Sequence, residues 1–184
     1  NPESLEAVIG NYSTITASIK NAAGKTLSKQ DIFKDIEITF SAFGEGKYEN
    51  GSSTYTVTIP WDSGSTNDAT FTEKLYSTGN EGSVNIVATS PNLESDSTSV
   101  VFLGEPVAIS ISAKPNPIYE NDTEGSTISI GLLDSNGYYT KPIGNSIIVL
   151  LSLTDNGTGG SIAGTSLTFN LSDPIGVIKT STFS

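Results

Sequence analysis

The chain has 184 residues with 20 acidic and 9 basic side chains, a net charge of −11, and no His, Cys, Arg or Met. Those absences remove the Ser-His-Asp triad, the thiol nucleophile, structural zinc, haem, and the Arg clamp for phosphate or a guanine edge. The negative charge repels nucleic acid and anionic membranes, so neither is expected as a partner.

Alternation with period two runs along almost the whole sequence, while helical periodicity is nearly absent. Thr14 to Ile19 sets Ile15, Ala17 and Ile19 against Thr14, Thr16 and Ser18. Asp35 to Phe40 sets Ile36, Ile38 and Phe40 against Asp35, Glu37 and Thr39, and Thr54 to Ile59 sets Tyr55, Val57 and Ile59 against three threonines. Val84 to Thr89 alternates again, and Ser99 to Leu103 closes in an apolar run. Turn signals separate these segments, among them Ala23-Gly24, Asn50-Gly51, Ser63-Gly64 and Ser90-Pro91-Asn92. Short one-face-buried strands at this spacing predict an all-β antiparallel sandwich.

The pattern then starts again. Residues 104–106, Gly-Glu-Pro, read as a linker between residues 1–103 and 107–184. Val107 to Ala113 alternates, and a constant shift then lays Pro2 on Pro115, Leu5 on Ile118 and Ser13-Thr14-Ile15 on Ser126-Thr127-Ile128. Asn21 to Gly24 falls on Asp134 to Gly137, Ile36 to Ser41 on Ile147 to Ser152, and Tyr55 to Ile59 on Leu167 to Leu171. Thr182-Phe183-Ser184 falls near Phe71 to Glu73. This tandem repeat predicts two sandwiches, the first lacking its opening strand and the second lacking its closing strands. The expected cores contain Ile15, Ile38, Val57 and Ile86 in the first, and Ile128, Val149 and Phe169 in the second. No apolar run nears the ~18 residues of a membrane helix, the longest being Ile147 to Leu151. Asn1-Pro2-Glu3 lacks an initiator Met and a signal-peptide pattern, which reads as an interior or processed start.

The order Ser13 to Ala17, then Lys20 to Lys25, then Ile36 to Ser41 resembles bacterial immunoglobulin-like domains of the invasin and intimin type. Asp68 to Phe71, Gly82 to Ser90, Ser97 to Phe102 and Pro115 to Ile118 extend the resemblance along nearly the whole chain. It departs at Asn50 to Thr66, a longer stretch that carries the sole Trp, Trp61. The resemblance implies tandem immunoglobulin-like sandwiches and a non-catalytic role in a stalk, lattice or adhesive surface protein, located extracellularly, at the cell surface or in the cell wall. It also implies partners that are other surface-protein copies or a component of a host or neighbouring cell surface. The alternatives are a filament subunit completed by strand exchange, and a carbohydrate-binding accessory module of a secreted enzyme.

Sequons at Asn11, Asn50, Asn121, Asn156 and Asn170 are candidate glycan acceptors, weighed against chance in so Ser/Thr-rich a chain. Calcium, the one cofactor considered, would draw on Asp62, Asp68, Glu73, Asp134 or Asp155, although Asx-type turns account for most of these. The carboxylate pairs Asp35/Glu37 and Glu94/Asp96 read as solvated charge and not as glycosidase machinery. Trp61 is the candidate contact for a partner or glycan, against a covering role at the core's edge. Tyr48, Tyr76 and Tyr138-Tyr139 are the other aromatic residues expected at the surface.

Overall fold

The computed structural model describes residues 4–116, 125–154 and 160–183, and these contain no helix. Two compact units divide the chain, Asn1–Phe102 and Leu103–Ser184. Both are antiparallel sandwiches, and the chain is all-β.

In the first unit, β1 (Ser4–Glu6), β8 (Asp96–Leu103), β7 (Gly82–Thr89), β3 (Ile36–Phe43) and β5 (Thr54–Ile59) form a five-stranded sheet in that order. Against it lies the sheet β2 (Tyr12–Ser18), β6 (Thr70–Ser77), β4 (Gly46–Tyr48). The alternation on β3 shows why the layers close. Ile36, Ile38, Phe40 and Ala42 are buried, while Glu37 faces water and Thr39 bonds Thr56 across the outer face at 3.0 Å. Their apolar face meets Leu5, Ile15, Tyr48, Leu75, Val84, Ile86, Val100 and Phe102 in one core drawn from both sheets. Ile15, Ile38 and Ile86 are buried as the alternation predicts, and Val57 is half-buried because β5 is the last strand of its sheet.

The second unit repeats the scheme. Its strands are β9 (Ala108–Lys114), β10 (Ser126–Leu133), β11 (Tyr139–Thr140), β12 (Ile147–Leu150), β13 (Ser166–Phe169) and β14 (Lys179–Phe183). As β2 pairs β6 through Ser13↔Leu75 and Ile15↔Glu73, so β10 pairs β14 through Ser126↔Phe183 and Ile128↔Ser181. As β3 pairs β5 through Ile36↔Ile59 and Ile38↔Val57, so β12 pairs β13 through Ile147↔Phe169 and Val149↔Leu167. Ile130, Leu132, Val149 and Phe169 form its core, with Ile128 half-buried beside them.

These registers correct the alignment in two places. Leu167 and Phe169 answer Val57 and Ile59, not Tyr55 and Val57, and Phe183 answers Leu75. For the first the cause is the period itself: a slip of two residues leaves every side chain on its original face, so alternation cannot detect it. Residues such as Ile118, Asn121, Asp155 and Asn156 lie outside the described residues.

Candidate functional site

Two loops of the first unit, one between β2 and β3 and one between β5 and β6, are joined by backbone hydrogen bonds. The Lys29 and Gln30 amides donate to the carbonyls of Asn67 at 2.8 Å and Ser65 at 3.1 Å. In return the Asp62 amide donates to the Lys29 carbonyl at 3.3 Å, and Asp62 Oδ1 accepts the Gly64 amide at 3.0 Å to tighten its own turn. Ile32 is buried in the core and fastens the first loop from beneath.

Trp61 sits on this platform. Its amide donates to Asp35 Oδ1 at 2.9 Å and its indole Nε1 donates to the Gln30 carbonyl at 3.2 Å. Both bonds fix the ring while 45% of the residue stays in water, so Trp61 does not serve as a cover for the core. Phe33, two residues from Asp35, is 80% exposed with φ at 59°. A bulky side chain seldom adopts that left-handed backbone, and such strain persists only where surrounding bonds enforce it. Two exposed aromatic side chains on one hydrogen-bonded platform can stack on a sugar face or anchor an apolar group of a protein. Sequence reasoning missed Phe33, because nothing in the residue pattern announces a positive φ.

The other aromatic candidates separate. Tyr48, expected at the surface, is instead fully buried, with its ring 6.4 Å from Phe40 and 5.9 Å from Tyr55. The short strand β4 turns it inward at the end of its sheet, where the apolar ring completes the core. Tyr76 is half-buried against Tyr12 at 5.4 Å. Tyr139 lies across Gly131, where an added Cβ would collide with the ring, and its hydroxyl is 3.1 Å from Ser110 Oγ. It covers a bare stretch of β10, a structural task.

The Tyr48 hydroxyl has no hydrogen-bond partner among the described residues. Burial, and secondarily the charge of Glu73, push it up to about 12. Glu73 also raises Tyr55, by charge first. Because the folded Tyr48 titrates above the unfolded phenol, its contribution is whole below pH 10 and is lost as pH climbs through 12. That loss should reach on the order of 2–3 kcal/mol. Tyr48→Phe should therefore flatten the fall in melting temperature between pH 10 and 12, and be neutral or stabilising by about 1 kcal/mol at pH 7 because an unpaired hydroxyl leaves the core. Melts of both proteins across that range check this, and parallel curves would contradict it.

The acidic candidates do not converge: among the described residues no three carboxylates group as a metal centre would require. Asp68 is exposed, Glu73 faces Tyr55, and Asp134 is buried with its oxygens committed to backbone amides. Asp35, Glu37, Glu94 and Asp96 are all exposed. Of the sequons, Asn50 is exposed and its Oδ1 accepts the Ser52 amide at 2.9 Å. Asn170 is exposed just past β13, where its amide donates to Asp173 Oδ2 at 2.8 Å. Asn11 is half-buried, with the Nδ2 that a glycan would occupy donating to the Glu6 carbonyl at 3.2 Å.

No known protein-family signature matches the chain, and no curated protein sequence does. Solved structures similar to it include the D0-D1 domain of intimin, 16% identical with a TM-score of 0.42, the match covering 99% of this chain and 80% of that one. Invasin, a bacterial integrin-binding protein, is 16% identical with a TM-score of 0.42, over 92% of this chain and 37% of its own. Domains 4-9 of the surface layer protein SbsC are 13% identical with a TM-score of 0.34, over 98% of this chain and 25% of theirs. The invasin and intimin resemblance read from the sequence thus recurs among the solved structures similar to this chain.

Proposed function

We propose that residues 1–184 are a structural or adhesive segment of a microbial cell-surface protein, made of tandem immunoglobulin-like sandwiches and without catalysis. The observation that carries this reading is the recurrence of one pairing scheme, β2–β6 with β3–β5 and then β10–β14 with β12–β13. Repetition of this kind multiplies a scaffold. The chemistry agrees, since the absent residue types leave few general bases or activated nucleophiles. A Ser/Thr-rich acidic surface keeps such segments soluble and mutually repelling until a specific contact brings neighbours together. The reading needs no cofactor, and its partners are further copies of the surface protein or a component of another cell's surface.

Antibodies raised against the chain should label intact cells of its source, and external protease should strip that label. Labelling that appears only after lysis would overturn the assignment.

A second reading, a carbohydrate-binding module, is favoured by the pinned, half-exposed indole of Trp61 and by the exposed ring of Phe33 in the loop bonded to it. On a glycan array, Phe33→Ala and Trp61→Ala should each lower binding at least tenfold, while Phe33→Ala leaves the melting temperature within a degree or two. An array without a single saturable glycan removes this second reading and leaves the first standing.

A further inference from the structure

The two loops that carry Phe33 and Trp61, residues 19–35 and 60–69, hold four of the nine lysines of the chain: Lys20, Lys25, Lys29 and Lys34. Against them stand four acids, Asp31, Asp35, Asp62 and Asp68. The platform is therefore balanced, and the whole net charge of −11 belongs to the rest of the chain. At physiological ionic strength a charge is felt over only about 8 Å, so an approaching anion meets this local balance and not the total.

The two signs are used differently. Asp31 Oδ2 accepts the Ser28 hydroxyl and amide, Asp35 Oδ1 accepts the Trp61 amide, and Asp62 Oδ1 accepts the Gly64 amide. Three of the four carboxylates thus hold the loops in shape. The four ammonium groups, by contrast, have no ion-pair or hydrogen-bond partner among the described residues. Lys29 precedes Gln30, whose carbonyl takes the Trp61 indole, and Lys34 stands between Phe33 and Asp35. Lys20 and Lys25 lie in the turn closed by the Lys20–Thr26 bridge of the same loop. A lysine is a compact cation on a flexible four-carbon stem, so its head can follow a ligand that the fixed indole holds. With no arginine to fork onto an anion, such a surface suits single charges spaced along a chain of neutral hydroxyls.

We propose, building on the carbohydrate-binding reading of this platform, that its ligand is an acidic glycan. Sugar faces stack on Trp61 and Phe33, and Lys29 and Lys34 meet the carboxylate or phosphate groups, with Lys20 and Lys25 as further cations for a longer chain. A neutral glycan would leave the lysines unused, and an acidic peptide would leave the two rings without sugar faces to stack on.

The test uses the whole chain and three probes: an oligouronate, a sialylated and a phosphorylated oligosaccharide, each beside its neutral counterpart, with oligoglutamate as a non-sugar anion. At least one acidic glycan should bind about tenfold tighter than its neutral counterpart and than oligoglutamate, by a margin that shrinks as salt is added. Lys29→Gln with Lys34→Gln should abolish that preference at an unchanged melting temperature, and arginine at both positions should keep it. Lys47→Gln with Lys114→Gln removes the same charge elsewhere and should leave binding as it was. Equal binding of acidic and neutral forms overturns the proposal but leaves the carbohydrate-binding reading standing, whereas no glycan bound at all removes both. Oligoglutamate bound as tightly as the glycan, a preference that survives the Lys29 and Lys34 changes, or an equal loss in the Lys47 and Lys114 control each overturns it as well.

Discussion

Phe40→Ala should cost the first unit about 3–5 kcal/mol, the largest loss expected from any single truncation in the chain. Phe40 is 1% exposed, on a strand hydrogen-bonded on both edges, with the rings of Tyr48 at 6.4 Å and Phe71 at 6.3 Å. Its neighbours belong to both sheets, so the vacated volume cannot be closed by moving one side chain, and the cavity adds to the lost transfer energy. Thr39→Ala, one residue away on the outer face, should cost less than about 1 kcal/mol, since it loses only exposed hydroxyl contacts. Trp61 is the sole Trp and belongs to the first unit, so its fluorescence reports that unit's unfolding in urea. A Phe40→Ala loss below about 1 kcal/mol would mean that the two sheets do not share a rigid core.

What could be read from the sequence was whatever alternates. β2, β3, β5, β7, β8 and β10 declare themselves because each buries one face and wets the other. β6 hides because Glu73 occupies a core-facing position, opposite Ile15, where it meets Tyr55 instead of a hydrophobic neighbour. β14, Lys-Thr-Ser-Thr-Phe, has almost no apolar face at all. Lys179 Nζ bonds Asp173 at 2.8 Å and lies 5.6 Å from the centre of the Phe169 ring, so a cation sits over a core ring where an apolar side chain would be expected. The lysine holds the Asp173 carboxyl below its usual range, helped by the Asn170 amide. β4 is too short to show a period. In the candidate site, Trp61 was legible as a lone large ring in a long stretch. Its fixed orientation was not, because it depends on a carbonyl and a carboxylate from a distant loop, and Phe33 owes its exposure to a backbone angle.

Asp134→Ala should cost the second unit about 2–4 kcal/mol, because it strands the buried amide of Gly104 and removes the charged acceptor of two part-buried turn amides. The residue is 2% exposed. Oδ1 accepts the amides of Asn136 at 3.0 Å and Tyr138 at 2.9 Å, and Oδ2 accepts the amide of Gly104 at 3.2 Å. Thr140 strengthens the same junction by donating its hydroxyl to the Gly104 carbonyl at 2.9 Å. The first unit shows which part of this is the turn and which is the anchor. Asn21, at the equivalent position, accepts the amides of Ala23 at 3.0 Å and Lys25 at 3.1 Å with its Oδ1, so an amide oxygen is enough to close the turn. Asn21 is exposed, whereas Asp134 has a second oxygen engaged by Gly104. Asp134→Asn should therefore keep the turn, place an Nδ2 donor against the Gly104 amide, and lose about half as much as alanine. Amide exchange at Ile130 and Leu132 reads this directly, while Trp61 fluorescence should unfold at an unchanged midpoint in both variants. Equal losses for asparagine and alanine would assign the stability to the Gly104 anchor alone, and a loss under about 1 kcal/mol for alanine would show that these three amides find other acceptors.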